Sequence, residues 1–183
     1  MKMTKIFHLV LAFTLVLFFA ECKNNQYQKE LARIDSLKTV LNQSEKKLGE
    51  IDTNMLSEKF EVYEKNTSFI SENYPDKKRD SSWNTICQYG LIDEPLGGFK
   101  NEQYHLKKEL MFSRKQLDSL KFDIQNGNIE KKKMNEYIKS ESDAVSMVEK
   151  MIKMTVEEAK IELNRFDALN PKIEKIIMNL KKK

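Results

Sequence analysis

From Tyr27 onward, apolar residues return at helical spacing. Tyr27, Leu31, Ile34, Leu41, Leu48 and Met55 follow three- and four-residue steps once Lys38, Glu45 and Asp52 fill the intervening turns, and Leu37 and Ile51 widen the stripe. A stripe of that period is the buried face of an amphipathic helix, which the pattern predicts over about residues 26 to 73. Charges at seam positions weaken a strict two-stranded coiled coil, so a wider bundle face is expected. Gly49 falls inside the pattern, costs a helix about 1 kcal/mol relative to Ala, and marks a bend or break. Leu56, Phe60, Tyr63 and Ile70 then resume the face at altered phase.

A second pattern occupies about residues 101 to 126. Leu106, Leu110, Leu117, Leu120 and Ile124 keep heptad spacing, with Ser113 at the one polar seam position. Asn126-Gly127-Asn128 is a strong stop, because Gly and Asn tolerate the left-handed conformation that closes a helix. Ile129 opens a third helix, on which Ile138, Val145, Val148, Ile152, Ala159 and Phe166 share a face. Asn170-Pro171 is expected to interrupt it, since proline pushes the preceding residue out of helical geometry. Ile173, Ile176, Ile177 and Leu180 then make a short final helix. The stop at Gly127 predicts a hairpin between the second and third helices.

Between residues 74 and 100 the period disappears. This stretch holds Pro75, Pro95, the sole Trp (Trp83), Cys87, Gly90, Gly97 and Gly98, with aromatics at Tyr74, Trp83, Tyr89 and Phe99. Gly97-Gly98 lacks the spacing of a phosphate loop and reads as a turn before the next helix. The stretch from Ser81 to Cys87 has the propensity for a further short helix. Two readings stand for the aromatics: a structured cap whose rings close the end of a bundle, or a recognition patch in which Trp83, Tyr89 and Phe99 contact a partner. The fold expected is therefore all-α, an elongated antiparallel helical bundle or coiled-coil hairpin over 26–183, with an irregular Trp-containing insert at 74–100.

Composition narrows the function classes. Of 183 residues 33% are charged and 40% hydrophobic, with only 5 Gly, 3 Pro and 2 Cys, which excludes collagen-like chains, Pro/Gly-rich disorder and disulfide scaffolds. His8 and His105 are the only imidazoles, too few for a multi-histidine metal or catalytic centre. Asp93 and Glu94 are adjacent and point apart along a backbone, so they form no acid/base pair. Cys87 reads as a semi-buried small apolar residue. Met134, Met147, Met151 and Met154 read as adaptable core filling, with a promiscuous groove as the alternative. No enzyme activity, cofactor or metal is expected.

The N-terminus has a separate logic. Lys2 and Lys5 precede an apolar run over residues 6–20, the pattern of a signal peptide, and shorter than the roughly 18 residues of a spanning helix. At its end, Phe19-Ala20-Glu21-Cys22 resembles the lipobox of bacterial lipoproteins, although that family prefers Leu where Phe19 stands and a small residue where Glu21 stands. The resemblance implies a signal peptide over 1–21, diacylglyceryl transfer to the Cys22 thiol, and a short polar tether over 22–25. Each buried lipid methylene then contributes about 0.8 kcal/mol to membrane binding. The whole resembles the small helical lipoproteins of the Bacteroidota, which implies an outer-membrane lipoprotein. Lys23-Asn24-Asn25-Gln26 lacks the acidic residues of that group's surface-export signal, which favours the periplasmic side.

Without residues 1–21 the chain keeps 30 basic and 27 acidic residues, +3 over 162 residues. Charges that balanced and that mixed do not suit a nucleic-acid partner. Lys181-Lys182-Lys183 is a local exception that favours the negative end of the last helix. The function expected is a structural or protein-interaction module tethered to the cell envelope, meeting an envelope protein or associating with itself through its helices. The alternative is a lipoprotein that holds a small hydrophobic ligand between helices.

Overall fold

The computed structural model describes residues 27–75 and 81–182. The expected signal peptide, the tether and Cys22 lie outside the described residues. Five helices account for nearly all of what is described, and no strand occurs among the described residues: α1 (Gln28–Leu48), α2 (Thr53–Asn73), α3 (Trp83–Gly90), α4 (Asp93–Gln125) and α5 (Lys131–Lys181). The fold is an all-α helical bundle. Contacts divide the described residues into two compact units, one of those up to Leu41 with Phe112–Ser146, the other of those within 42–111 with those from Met147 onward.

In the first unit Ile34, Leu41, Leu117, Leu120, Ile124, Met134, Ile138 and Val145 are buried together with the Ser113 hydroxyl side chain. The hairpin predicted at Gly127 is present. Gly127 adopts φ +69°, its N–H donates to Ile124 O at 3.2 Å, and the Asn128 N–H donates to Asp123 O at 2.9 Å. That pair of bonds is a Schellman closure, which satisfies carbonyls the helix end would leave open. Lys38, expected in the seam, is half-buried and carries its ammonium out to Asp118 at 2.5 Å, while Lys121 reaches Asp35 at 2.5 Å. Exposed pairs of this kind contribute about 0–1 kcal/mol each, so they set the register of α1 against α4 more than they hold it.

In the second unit the break expected at Gly49 falls between α1 and α2. Asp52 caps α2, its Oδ1 accepting from the Asn54 and Met55 N–H groups at 2.9 and 3.3 Å. Gln103, buried on α4, donates from Nε2 to Leu48 O at 3.3 Å, which occupies a carbonyl at the open end of α1. The core here includes Leu48, Leu56, Tyr63, Ile70, Tyr89, Ile92, Leu96, Phe99, Leu106, Ile152, Val156, Leu163, Phe166 and Ile173.

Four expectations are corrected by packing. Ile34, Leu41 and Leu48 are buried as expected, but Ser44 is buried and Glu45 exposed, so one seam position of α1 falls a residue earlier than the heptad count placed it, and Met55 is exposed. The 74–100 stretch is largely helical among the described residues, because α3 fills 83–90 and α4 begins at Asp93. Gly97-Gly98 therefore lies inside α4. A Cβ on Gly97 would stand 2.8 Å from Phe60 Cζ, whereas one on Gly98 would meet nothing within 4 Å; the first glycine admits the Phe60 ring against the helix. Pro171 lies within α5 and does not end it. Phe166, Leu169, Ile173 and Ile177 carry one buried face straight through the proline, and that burial offsets the roughly 3 kcal/mol an interior proline costs.

The two glycines give a test. Gly98→Ala is expected to raise unfolding stability by about 0.5–1 kcal/mol, the ordinary gain for a helical glycine facing open space. Gly97→Ala forfeits that gain, because overpacking against Phe60 costs about 1–3 kcal/mol, and Phe60→Leu restores it. Urea unfolding of Gly98→Ala, Gly97→Ala, Phe60→Leu and the Gly97→Ala/Phe60→Leu double variant measures both terms, and equal effects of Gly97→Ala and Gly98→Ala would remove the packing explanation.

Candidate functional site

The aromatic cluster of the second unit forms a groove where α2 meets α3. Thr67, Ile70 and Ser71 supply one wall, Trp83 and Ile86 the other, and Tyr74 closes one end over a volume of about 280 Å³. Trp83 begins α3 and keeps 37% of its surface exposed. Its ring lies 6.0 Å from that of Tyr74, tilted by 30°, an offset arrangement that favours the quadrupoles of both rings. The groove thus offers an exposed indole beside small hydroxyl side chains.

Its floor is held by a polar node. Tyr89 is 1% exposed, with its ring 5.1 Å from Tyr63 and 6.0 Å from Phe166. A buried phenol needs a partner for its hydroxyl, and Tyr89 Oη donates to Asn170 Oδ1 at 2.8 Å. Asn66 Nδ2 donates to Asn170 Oδ1 at 2.9 Å and to Tyr89 Oη at 3.5 Å. The Tyr63 hydroxyl donates to Gly90 O at 3.2 Å, at the end of α3. Burial pushes the Tyr89 phenol above the ordinary tyrosine value, although the Asn66 bond works the other way.

The three residues expected to contact a partner thus part company. Trp83 lines the groove with an exposed ring. Tyr89 lies beneath it as core, and Phe99 is 3% exposed on α4 and contributes to the core as well; neither has surface to present, because the bundle needs their area. Cys87 is exposed and not semi-buried, since α3 turns it away from the face that holds Tyr89. Met134 is buried and Met151 half-buried, but Met147 and Met154 are exposed, so core filling does not describe these last two. His105 is exposed beside Tyr104, ring to ring at 5.8 Å. No group of three metal-ligating side chains comes together among the described residues, and no helix of those residues is long and apolar enough to cross a membrane.

A second concavity, of about 480 Å³, lies in the first unit beside the Gly127 hairpin, between Gln116, Ser119 and Asp123 of α4 and Lys133, Tyr137 and Glu141 of α5. Sequence reasoning missed it. Its signal is the hairpin itself, which folds positions before and after Gly127 onto one another at four-residue steps. Asp123 is engaged, accepting from Asn128 Nδ2 at 3.1 Å. Glu141 is half-buried, and burial alone raises its carboxyl above the ordinary value.

Comparison with family models, with curated proteins and with solved structures returns no match.

Two titrations follow from these environments. A phenol whose folded value is raised stabilises the fold fully below its unfolded value of about 10 and loses that contribution as pH rises through the folded value. Tyr89→Phe is expected to cost about 1 kcal/mol at neutral pH and to flatten the alkaline fall in stability, followed by circular dichroism. Glu141 has the same sign at acid pH: its contribution is greatest below the ordinary carboxyl value and is lost as pH rises above it. Glu141→Gln should therefore raise the urea midpoint at pH 7 and leave it unchanged in acid. A variant that gains equally at both ends would show that the charge is not the cause.

Proposed function

We propose that the chain is a membrane-tethered helical lipoprotein that serves as a structural or protein-interaction module of the bacterial cell envelope. The observation that supports this best is the Trp83 groove: an exposed indole and Tyr74 above a floor pinned by Tyr89, Asn66 and Asn170. Rigid aromatic side chains at a pre-formed concavity are the usual anchors of protein contacts, because they bury large area at little conformational cost. At about 280 Å³ and open to solvent, the groove suits a single inserted side chain better than an enclosed lipid-sized ligand, for which roughly 300–1,000 Å³ is typical.

On this reading Cys22 carries the acyl chains, residues 22–25 are the tether, and the bundle stands on the periplasmic side of the outer membrane. The membrane and one envelope protein are then its partners, with no nucleic acid and no cofactor.

Intact mass and detergent partitioning of the membrane-extracted protein test the anchor. A mature species starting at Cys22 with added acyl mass is expected, and Cys22→Ala abolishes it; an unlipidated chain, or one that retains residues 1–21, would remove the tether. A photo-crosslinking residue at position 83 tests the groove in intact cells. It should give one discrete adduct that the exposed position 136 does not, and Trp83→Ala should lose the partner with helicity unchanged.

A further inference from the structure

Helix α5 has two apolar sides. Val148, Ile152, Val156, Ala159 and Leu163 are buried in the second unit. Met147, Met154 and Ile161 recur every seven residues on the opposite side, 65%, 58% and 57% exposed. Seven residues are nearly two helical turns, so the three side chains fall within about 40° of one another. Scattered surface apolar residues need no explanation, but a heptad repeat on a helix whose other face already fills a core is the pattern of a second seam.

The charges beside that seam indicate what covers it. Lys150 and Glu157 are also seven residues apart, both exposed and on the same flank of the stripe. Lys150 has no ion-pair partner among the described residues, and Glu157 has only Lys47, at 3.9 Å. In an antiparallel helix pair with its two-fold axis at Met154, that residue meets its own equivalent. Met147 then meets Ile161 of the second copy, and Lys150 comes against Glu157 of the second copy on each side of the axis. In a parallel pair the flank that carries Lys150 and Glu157 would face the opposite flank of the second copy, so Lys150 and Glu157 would not meet.

We propose that this face of α5 pairs with a second copy of the chain in an antiparallel, two-fold symmetric contact. Self-complementarity of both the apolar and the charged positions is what such a symmetric interface requires. The seam is short, about 21 Å from position 147 to 161, well under the extent of a standard interface. Association is accordingly weak in dilute solution and rises with local concentration. The inference rests on the reading of the chain as an interaction module, but on neither the lipid anchor nor the Trp83 groove.

Single cysteines test it in the full chain, purified in detergent with Cys22→Ser and Cys87→Ser in the background. Mild oxidation of Met154→Cys is expected to give a covalent dimer. Met147→Cys alone and Ile161→Cys alone give none, since each would lie about 21 Å from its own equivalent, beyond the roughly 7 Å limit of a disulfide. A mixture of the two gives the mixed dimer. Lys150→Glu should reduce the Met154→Cys dimer several-fold, and adding Glu157→Lys should restore it. Equal crosslinking of all three single variants would overturn the antiparallel arrangement. A chain that neither crosslinks nor departs from monomer mass in sedimentation would overturn the pairing altogether, while the position-83 adduct would still report separately on the interaction module.

Discussion

The second unit depends on one constraint: the Tyr89 hydroxyl is carried into a core and must be met there. An unpaired buried hydroxyl costs about 1–3 kcal/mol, so wherever α3 docks it must bring Tyr89 Oη to an acceptor. Asn170 is that acceptor at 2.8 Å, and Asn66 holds the amide oxygen from the other side at 2.9 Å. Three helices are thereby fixed in register, because Asn66 belongs to α2, Tyr89 to α3 and Asn170 to α5. Apolar contacts alone would tolerate a slide of α3 along its neighbours. The polar node does not, and the position of Trp83 at the groove follows from it.

The same node bears on Pro171. Proline removes an interior hydrogen bond and biases the residue before it away from helical geometry. In this chain that residue is Asn170, whose amide bonds Asn66 and Tyr89 through its oxygen and Glu174 through its nitrogen at 3.0 Å. Side-chain bonds across and along the helix at the very residue that proline disfavours, with Leu169 and Ile173 buried on either side, keep α5 continuous. Tertiary context here outweighs a local preference that reads clearly in the sequence.

What was legible followed from period and from left-handed geometry. The apolar positions of α4 and α5 repeat cleanly, and Gly127 between two asparagines announced the hairpin that the Schellman bonds then close. What was not legible depended on neighbours distant in sequence. Gly97-Gly98 reads as a turn until Phe60 is seen against Gly97, and Ser44 rather than Glu45 fills the seam because burying a charged carboxylate costs far more than burying a hydroxyl. Trp83, Tyr89 and Phe99 look alike as aromatics in an aperiodic stretch. Only the direction in which each helix turns its ring separates the groove residue from the two core residues.

The exposed side of α5 carries the remaining tension between stability and association. Methionine at positions 147 and 154 offers apolar area on an unbranched, polarizable side chain that adapts to what it meets. Branched residues at the same positions would make a firmer seam but would also favour nonspecific association of any exposed apolar face. Methionines framed by Lys150 and Glu157 leave recognition to the charges, which favour the antiparallel orientation of a second copy, and leave strength to local concentration. A surface of that kind is nearly silent in dilute solution and becomes effective when many copies share one plane, the condition a lipid anchor would create.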